Sequence, residues 1–309
     1  QTLVASDTTP LSRYHDEVIY VPDHTWGVLT RDSIDIYDMN RNRVNVKSKR
    51  LVVSNFDTTD LPKNKHYMYS EICQQVDIVT YLLNQPELFD PSVLKMVERA
   101  DSIVYLGCGS SHHVGMQAAL ATRDILSIPS QAICASEWDH SYCIVNSKTL
   151  FVAISQSGET ADIIKAVYSI KQASGKVLAI CNTPNSCLDQ ISHVTIHLNA
   201  GVERSVCSTK AFTSQWLHIY LMLMRVGGVS IDHCRVLPQM IERIIHEPNY
   251  DEMAQILKKD SHIIFMGRGY GYGIACEASL KLKELTYIPS FAIYAGELKH
   301  GTFALIDSE

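Results

Sequence analysis

Thr149-Leu150-Phe151-Val152-Ala153-Ile154-Ser155-Gln156-Ser157-Gly158-Glu159-Thr160-Ala161-Asp162 runs from an apolar strand-like segment into a hydroxyl-rich turn and on into a helix-forming segment. Strand, turn and helix in that order are the unit from which parallel α/β sheets are built. Ser155, Ser157 and Thr160 supply hydroxyls, Gln156 an amide, and Gly158 lets a backbone approach without a Cβ in the way. At a helix N-terminus the unpaired backbone N–H groups and the positive end of the dipole point at one spot. Two readings fit the stretch: a site for an anion such as phosphate, or an ordinary Ser/Thr-capped helix with an acid in its first turn.

The same alternation extends in both directions. Strands are predicted at Ile103–Leu106, Ser130–Ala135, Leu150–Ile154, Val177–Cys181 and Val194–Leu198, with helical segments between them and another over Thr209–Met224. Near-continuous apolar strands alternating with helices predict an α/β fold with a parallel sheet covered on both faces. Ligands of such sheets sit beyond the carboxyl ends of the strands. Gly107-Cys108-Gly109-Ser110-Ser111 is a second strand exit of this kind, with two more hydroxyls at a helix start. It is not a dinucleotide fingerprint, because His112 stands where the third glycine of G-x-G-x-x-G belongs. Ser102–Ser110 and His262–Tyr270 share the pattern strand, G-x-G, helix at an offset of 160 residues, which predicts a duplicated unit. Too little chain remains before Glu309 for the second copy to complete its strands.

Composition bounds the function. A chain of 309 residues, 46% hydrophobic and 19% charged, has material for a large core and about two domains. A formal net charge of -6 argues against a nucleic-acid partner. The most apolar run, Trp216–Met224, is short, contains His218 and stops at Arg225, so no membrane span is predicted. Nine scattered cysteines without tight pairs fit reduced thiols in a cytoplasmic protein, and no signal peptide is recognised. The thirteen histidines show no metal-ligand spacing, so no metal is expected.

The first sixty residues read as β structure, with strand-like runs at Glu17–Val21, Thr25–Thr30, Ser33–Tyr37 and Val44–Val53. This is too little for a complete domain and resembles the tail of a larger one. The polar stretch Asp57–Lys65 is the natural linker, and a helical pattern follows on Met68, Ile72, Val76, Val79 and Leu83. The expected organisation is 1–61, a linker at 62–66, a first α/β domain at 67–235 and an incomplete second copy at 236–309.

Near the end, Glu277, Lys281 and Glu284 fall on one helical stripe. Such a stripe is either a solvated face with an i,i+4 ion pair or a general base held beside a cation. His300, in Gly296-Glu297-Leu298-Lys299-His300-Gly301, is either a surface histidine or a proton-transfer group. Cys108 and Cys207 each lie near a predicted helix start; with no base identified for either, both are read as small packing residues.

Together these motifs resemble the family of glutamine–fructose-6-phosphate aminotransferases (isomerizing), the glucosamine-6-phosphate synthases. The likeness rests on Ser155–Asp162, Gly107–Ser111, Ser208-Thr209-Lys210-Ala211-Phe212-Thr213, Leu280–Glu284 and Gly296–Gly301, and runs from about Ala5 to the last residue. It implies a duplicated sugar-isomerase (SIS) fold preceded by the β-rich end of an Ntn-hydrolase glutaminase domain. It further implies that ammonia from glutamine aminates fructose 6-phosphate to glucosamine 6-phosphate, without a cofactor. By the resemblance, Ser111, Ser155, Gln156, Ser157 and Thr160 hold the sugar phosphate, while Ser110, the backbone of Val206 and Ser208 contact the sugar. Glu284 is then the base that moves a proton between C1 and C2, with Lys281 beside it. His300 assists ring opening from a neighbouring subunit, which implies a homodimer or higher oligomer.

The chain departs from the family pattern in places. Ser110 stands where Thr is usual, Arg204-Ser205 replaces Ile-Gly, and Thr302 replaces Pro. The glutaminase's N-terminal cysteine would precede Gln1 and the lysine that forms a Schiff base with the open-chain sugar would follow Glu309, so full activity is not expected of this polypeptide. Two alternatives share the fold: a fructosamine-6-phosphate deglycase, and a regulator that senses a sugar phosphate without chemistry. The β-rich start speaks against the first, Glu284 and His300 against the second.

Overall fold

The computed structural model describes residues 2–5, 11, 14–51, 66–85, 87–140 and 145–306. The chain divides into two compact units, Gln1–Asp57 and Thr58–Glu309. The expected linker at 62–66 lies, His66 apart, outside the described residues.

The first unit is antiparallel. Strands β1 (Glu17–Val18), β2 (Thr25–Leu29), β3 (Ile34–Asp38), β4 (Arg43–Val44) and β5 (Lys49–Arg50) form a β1–β5 pair and a β2–β3–β4 meander. The expected strand Val44–Val53 is thus reduced to two short pairings, and Val52 and Val53 lie outside the described residues. Trp26 stacks on Tyr37 across the meander with ring centroids 4.8 Å apart, a cross-strand aromatic pair that fixes the register. Val18 and Ile36 are its buried apolar side chains among the described residues, a small core for a unit of this length.

The second unit begins with α1 (Tyr67–Leu83) and α2 (Pro91–Glu98). It continues as β6 (Ser102–Gly107), α3 (Ser110–Leu126), β7 (Ser130–Cys134), β8 (Thr149–Ser155), α4 (Ala161–Gln172), β9 (Lys176–Cys181), α5 (Cys187–Ile191), β10 (Val194–His197) and α6 (Lys210–Val226). All five strands are parallel, in the order β10-β9-β8-β6-β7. The strands expected from the sequence are all present, with ends shifted by one residue. Side chains alternate between faces: Val104, Leu106, Phe151, Ala153, Val177 and Ala179 pack with Ile163, Ala166, Val167 and Ile170 of α4. On the opposite face Tyr105 donates or accepts a 2.7 Å hydrogen bond with Thr122 of α3. Burial on both faces is why these strands read as continuous apolar runs. The strand order reverses between β6 and β8, so the turns after these two neighbours flank the crevice where doubly wound sheets bind ligands.

The second copy follows as α7 (Leu237–Ile245), α8 (Tyr250–Leu257), β11 (Ile263–Gly267), α9 (Tyr270–Thr286) and β12 (Ser290–Tyr294). It repeats β6–α3–β7 in atomic detail. Ile103 pairs with Ser130 and Ile263 with Ser290. Gly109 (φ 54°, ψ -129°) and Gly269 (φ 55°, ψ -124°) precede the two helices in the same left-handed backbone, open to glycine and strained for other residues. Ser130 Oγ donates to Ala119 O at 2.6 Å, and Ser290 Oγ to Ser279 O at 2.8 Å. Helix α9 packs on α3, which carries the second copy's side chains to the carboxyl end of the first sheet.

Candidate active site

The turn after β8 is held by its own hydroxyls. Ser155 Oγ accepts the N–H of Gly158 at 3.0 Å and lies 3.4 Å from Thr160 Oγ1; Ser157 Oγ accepts the N–H of Glu159 at 3.2 Å. Gln156 O accepts the N–H of Asn182 at 3.2 Å, tying the turn to the exit of β9. Gly158 has φ +71°, and a Cβ there would lie 2.0 Å from Ser186 Oγ and 2.7 Å from Cys181 Sγ. The close approach that demands glycine is therefore to α5 and β9. Thr160 precedes α4 without making a side-chain cap, so the ordinary capped-helix reading fails for this residue. The first amides of α4 have no partner inside the helix.

At the neighbouring exit, Ser111 is buried, and its Oγ lies 3.1 Å from Gln215 Nε2 and 3.2 Å from Gln215 Oε1. Ser155 and Ser157 thus share a property that Ser111, whose Oγ also donates to Gln215 Oε1, lacks: the oxygen of each accepts a backbone N–H. A hydroxyl that accepts such a bond keeps its own proton to donate. Each is an oriented donor, and an oxyanion is the partner such donors suit.

Ser110 faces the other way. Its Oγ donates to Glu277 Oε1 at 2.7 Å and lies 3.2 Å from Lys281 Nζ. Glu277, 7% exposed, also meets His113 Nδ1 at 2.7 Å and Lys281 Nζ at 3.3 Å. Lys281 Nζ continues to Glu284 Oε2 at 2.7 Å. Glu277 and Lys281 therefore lie in the seam between α9 and α3, Glu284 is half-buried beside Cys207, and the solvated-face reading is overturned. Burial alone would raise the Glu277 carboxyl; the hydrogen bonds from His113 and Ser110 and the Lys281 charge outweigh it and hold the carboxyl below its ordinary value. Burial likewise opposes the Lys281 charge, but its bond to Glu284 and the two carboxylates prevail and hold its pKa above the usual lysine value. The result is a base candidate, Glu284, beside an ammonium that stays charged.

The segment before α6 closes the site. Glu203 accepts the N–H of Thr209 at 2.7 Å and of Ala211 at 3.2 Å, serving as a carboxylate cap for α6, and takes Ser208 Oγ at 3.1 Å. Glu71 of α1 accepts the N–H of Arg204 at 2.6 Å and of Ser205 at 3.3 Å and bonds Ser205 Oγ. Val206, 90% exposed, leaves its backbone open between these anchors. Cys207 is buried with Sγ 3.0 Å from Glu284 Oε2. Burial, then Glu284, push its thiol up to about 11, so it is no nucleophile. Burial likewise raises Cys108.

The structure thus joins Ser110, Lys281 and Glu284 in one network, with Ser111 at the exit of β6 and Ser155, Gln156, Ser157 and Thr160 at the exit of the neighbouring β8. It does not bring His300 to them: that residue is exposed, and its backbone N–H closes a turn on Glu297 O at 2.9 Å. Glu277, His113, Gln215, Glu203 and Glu71 went unassigned in the sequence. Only Glu277 left a signal there, as the third member of the stripe.

Comparison with known proteins identifies the fold and the family. A family model described as the SIS domain matches residues 96–225 and 256–309. The glutamine–fructose-6-phosphate aminotransferase (isomerizing) of Pseudomonas aeruginosa is 32% identical over 330 residues, covering 100% of this chain and 54% of that protein. That of Thermotoga maritima is 32% identical over 326 residues, covering 99% and 53%. The C-terminal domain of glucosamine-fructose-6-phosphate aminotransferase from Francisella tularensis superimposes with a TM-score of 0.72 at 32% identity, over 81% of this chain and 75% of that one. The chain spans about half the length of the curated relatives it matches.

Proposed function

Because this chain belongs to the SIS family, in its glutamine–fructose-6-phosphate aminotransferase branch, we propose that it carries most of the site at which fructose 6-phosphate becomes glucosamine 6-phosphate. On this reading Gln1–Asp57 is the end of a glutaminase domain that supplies ammonia from glutamine, and the protein is a cytoplasmic homo-oligomer. What supports the proposal is a pair of unlike groups at the carboxyl ends of neighbouring strands: hydroxyls after β6 and β8, and the Lys281–Glu284 pair, 2.7 Å apart, tied to the β6 exit through Ser110.

The hydroxyls suit the phosphate. Ser111, Ser155, Ser157 and Thr160, with Gln156 and the first amides of α4, surround a dianion with donors. Each charge-assisted bond contributes about 1.5–3 kcal/mol, enough in number to hold a small polar sugar. Ser110, Ser208 and the Val206 backbone then meet the sugar carbons and hydroxyls. Glu284 removes the proton at C1 and returns it at C2, and Lys281 holds the carboxylate in place. His300 would serve ring opening in a partner subunit's site.

Glu284→Gln tests the base. In the full-length enzyme it should bind fructose 6-phosphate with near wild-type affinity while isomerisation falls about 10²–10⁴-fold. Wild-type turnover would point instead to a sugar-phosphate sensor.

A further inference from the structure

One buried thiol is left over from the reading above. Cys207 Sγ and Lys281 Nζ both meet Glu284 Oε2, at 3.0 Å and 2.7 Å, and among the described residues none bonds Oε1. We infer that Cys207 is a positioning residue for Glu284: its S–H donates to Oε2, fixes the carboxylate together with Lys281, and leaves Oε1 as the oxygen that exchanges a proton with the sugar. The inference rests on the proposed role of Glu284 as the base.

Three observations carry it. The direction of the bond is settled by chemistry, since an ionised carboxylate only accepts and the thiol, raised to about 11, keeps its proton. The thiol is presented from an anchored segment. Cys207 O accepts Ser205 Oγ at 2.9 Å, Ser205 is itself held by Glu71, and the residues that follow are held by Glu203. The surroundings also isolate the effect. Glu284 faces Lys281 and, through it, Glu277 on its own helix; Glu277 is bound in turn to His113 of α3. Cys207 is a neutral donor bonded to Glu284 itself, as Ser110 is to Glu277, so removing it changes a hydrogen bond and no charge.

A donor to the charged form lowers a carboxyl pKa, and losing it raises that pKa. Carboxyl ¹³C titration of glutamate-labelled protein reads this directly, with the Glu284 signal identified by its loss in Glu284→Gln. Cys207→Ala should raise the Glu284 midpoint by about half a pH unit, while Cys207→Ser, which keeps a donor, should not exceed the wild-type value. In the full-length enzyme the acid limb of the isomerisation pH profile should move the same way in Cys207→Ala, with KM for the sugar phosphate unchanged and Cys207→Ser restoring the profile. Superimposable titrations for wild type and Cys207→Ala would overturn the inference, and Cys207→Val, which fills the space without a donor, repeats the test should the alanine variant unfold. A shifted titration in a protein that binds no sugar phosphate would keep the pairing and remove the base assignment instead.

Discussion

Ser157 is half-buried where Ser111 and Ser155 are buried, so it can be replaced with the least cost to the core. Ser157→Ala removes one oriented donor and should weaken fructose 6-phosphate binding about 10–100-fold. Ser157→Asp sets a carboxylate against a dianion, repelled at short range by several kcal/mol at an effective dielectric of about 20, and should abolish binding. Calorimetric titration reads both variants, with thermal unfolding as a control for folding; an unchanged affinity in Ser157→Asp would remove the phosphate assignment. The sequence supplied the hydroxyls but not their orientation. Ser111 takes its partner from Gln215, 104 residues away, and Cys207 meets Glu284 across 77 residues. No local pattern encodes such pairs. Gly158 was legible as a site of close approach, yet what approaches is Ser186.

At the scale of elements, the strands of the parallel sheet could be read because burial on both faces makes each a continuous apolar run. Helix α1 was legible in extent, and in orientation over its second half, where Val79 and Leu83 of the expected stripe are buried, but not over its first. Its apolar spacing put Met68 and Ile72 on the inner stripe, whereas the buried residues are Glu71, Ile78, Val79, Leu82 and Leu83. Glu71 turns inward because three donors of the Arg204–Ser205 backbone and the Ser205 side chain await it, a reward invisible in the helix itself. Glu71→Ala strands those donors, and the loss should come to about 2–4 kcal/mol in urea unfolding. Glu71→Gln keeps one acceptor oxygen and should fall between alanine and wild type. Because the same segment carries Val206 and Ser208, sugar-phosphate affinity should drop in the order glutamine, then alanine. Wild-type stability and affinity in Glu71→Ala would mean that α1 does not shape the site.

For the molecule as a whole, the duplication was legible as two G-x-G turns, and the structure extends it to the Ser130 and Ser290 hydrogen bonds. The copies nonetheless differ in burial. Every residue of β8 is buried, whereas β11 is half-buried throughout, apart from an exposed Met266, and α7 and α8 contain no buried residue. Elements with little buried apolar surface open locally at a lower free energy than core strands. In the 309-residue polypeptide taken by itself, where the second copy is incomplete, amides of β11 and β12 should therefore exchange with deuterium well before those of β8, which should wait for global unfolding. The site straddles this gradient: its hydroxyls sit on the buried sheet, while Glu277, Lys281 and Glu284 ride on α9. A ligand that bridges the two must favour the docked helix. At a hundredfold excess over Kd, fructose 6-phosphate should make the local opening of α9 about a hundredfold rarer, and peptides spanning 270–286 should gain protection in proportion. Binding that leaves α9 exchange unchanged would mean that the ligand is held by the hydroxyl turns alone, with Glu284 out of its reach.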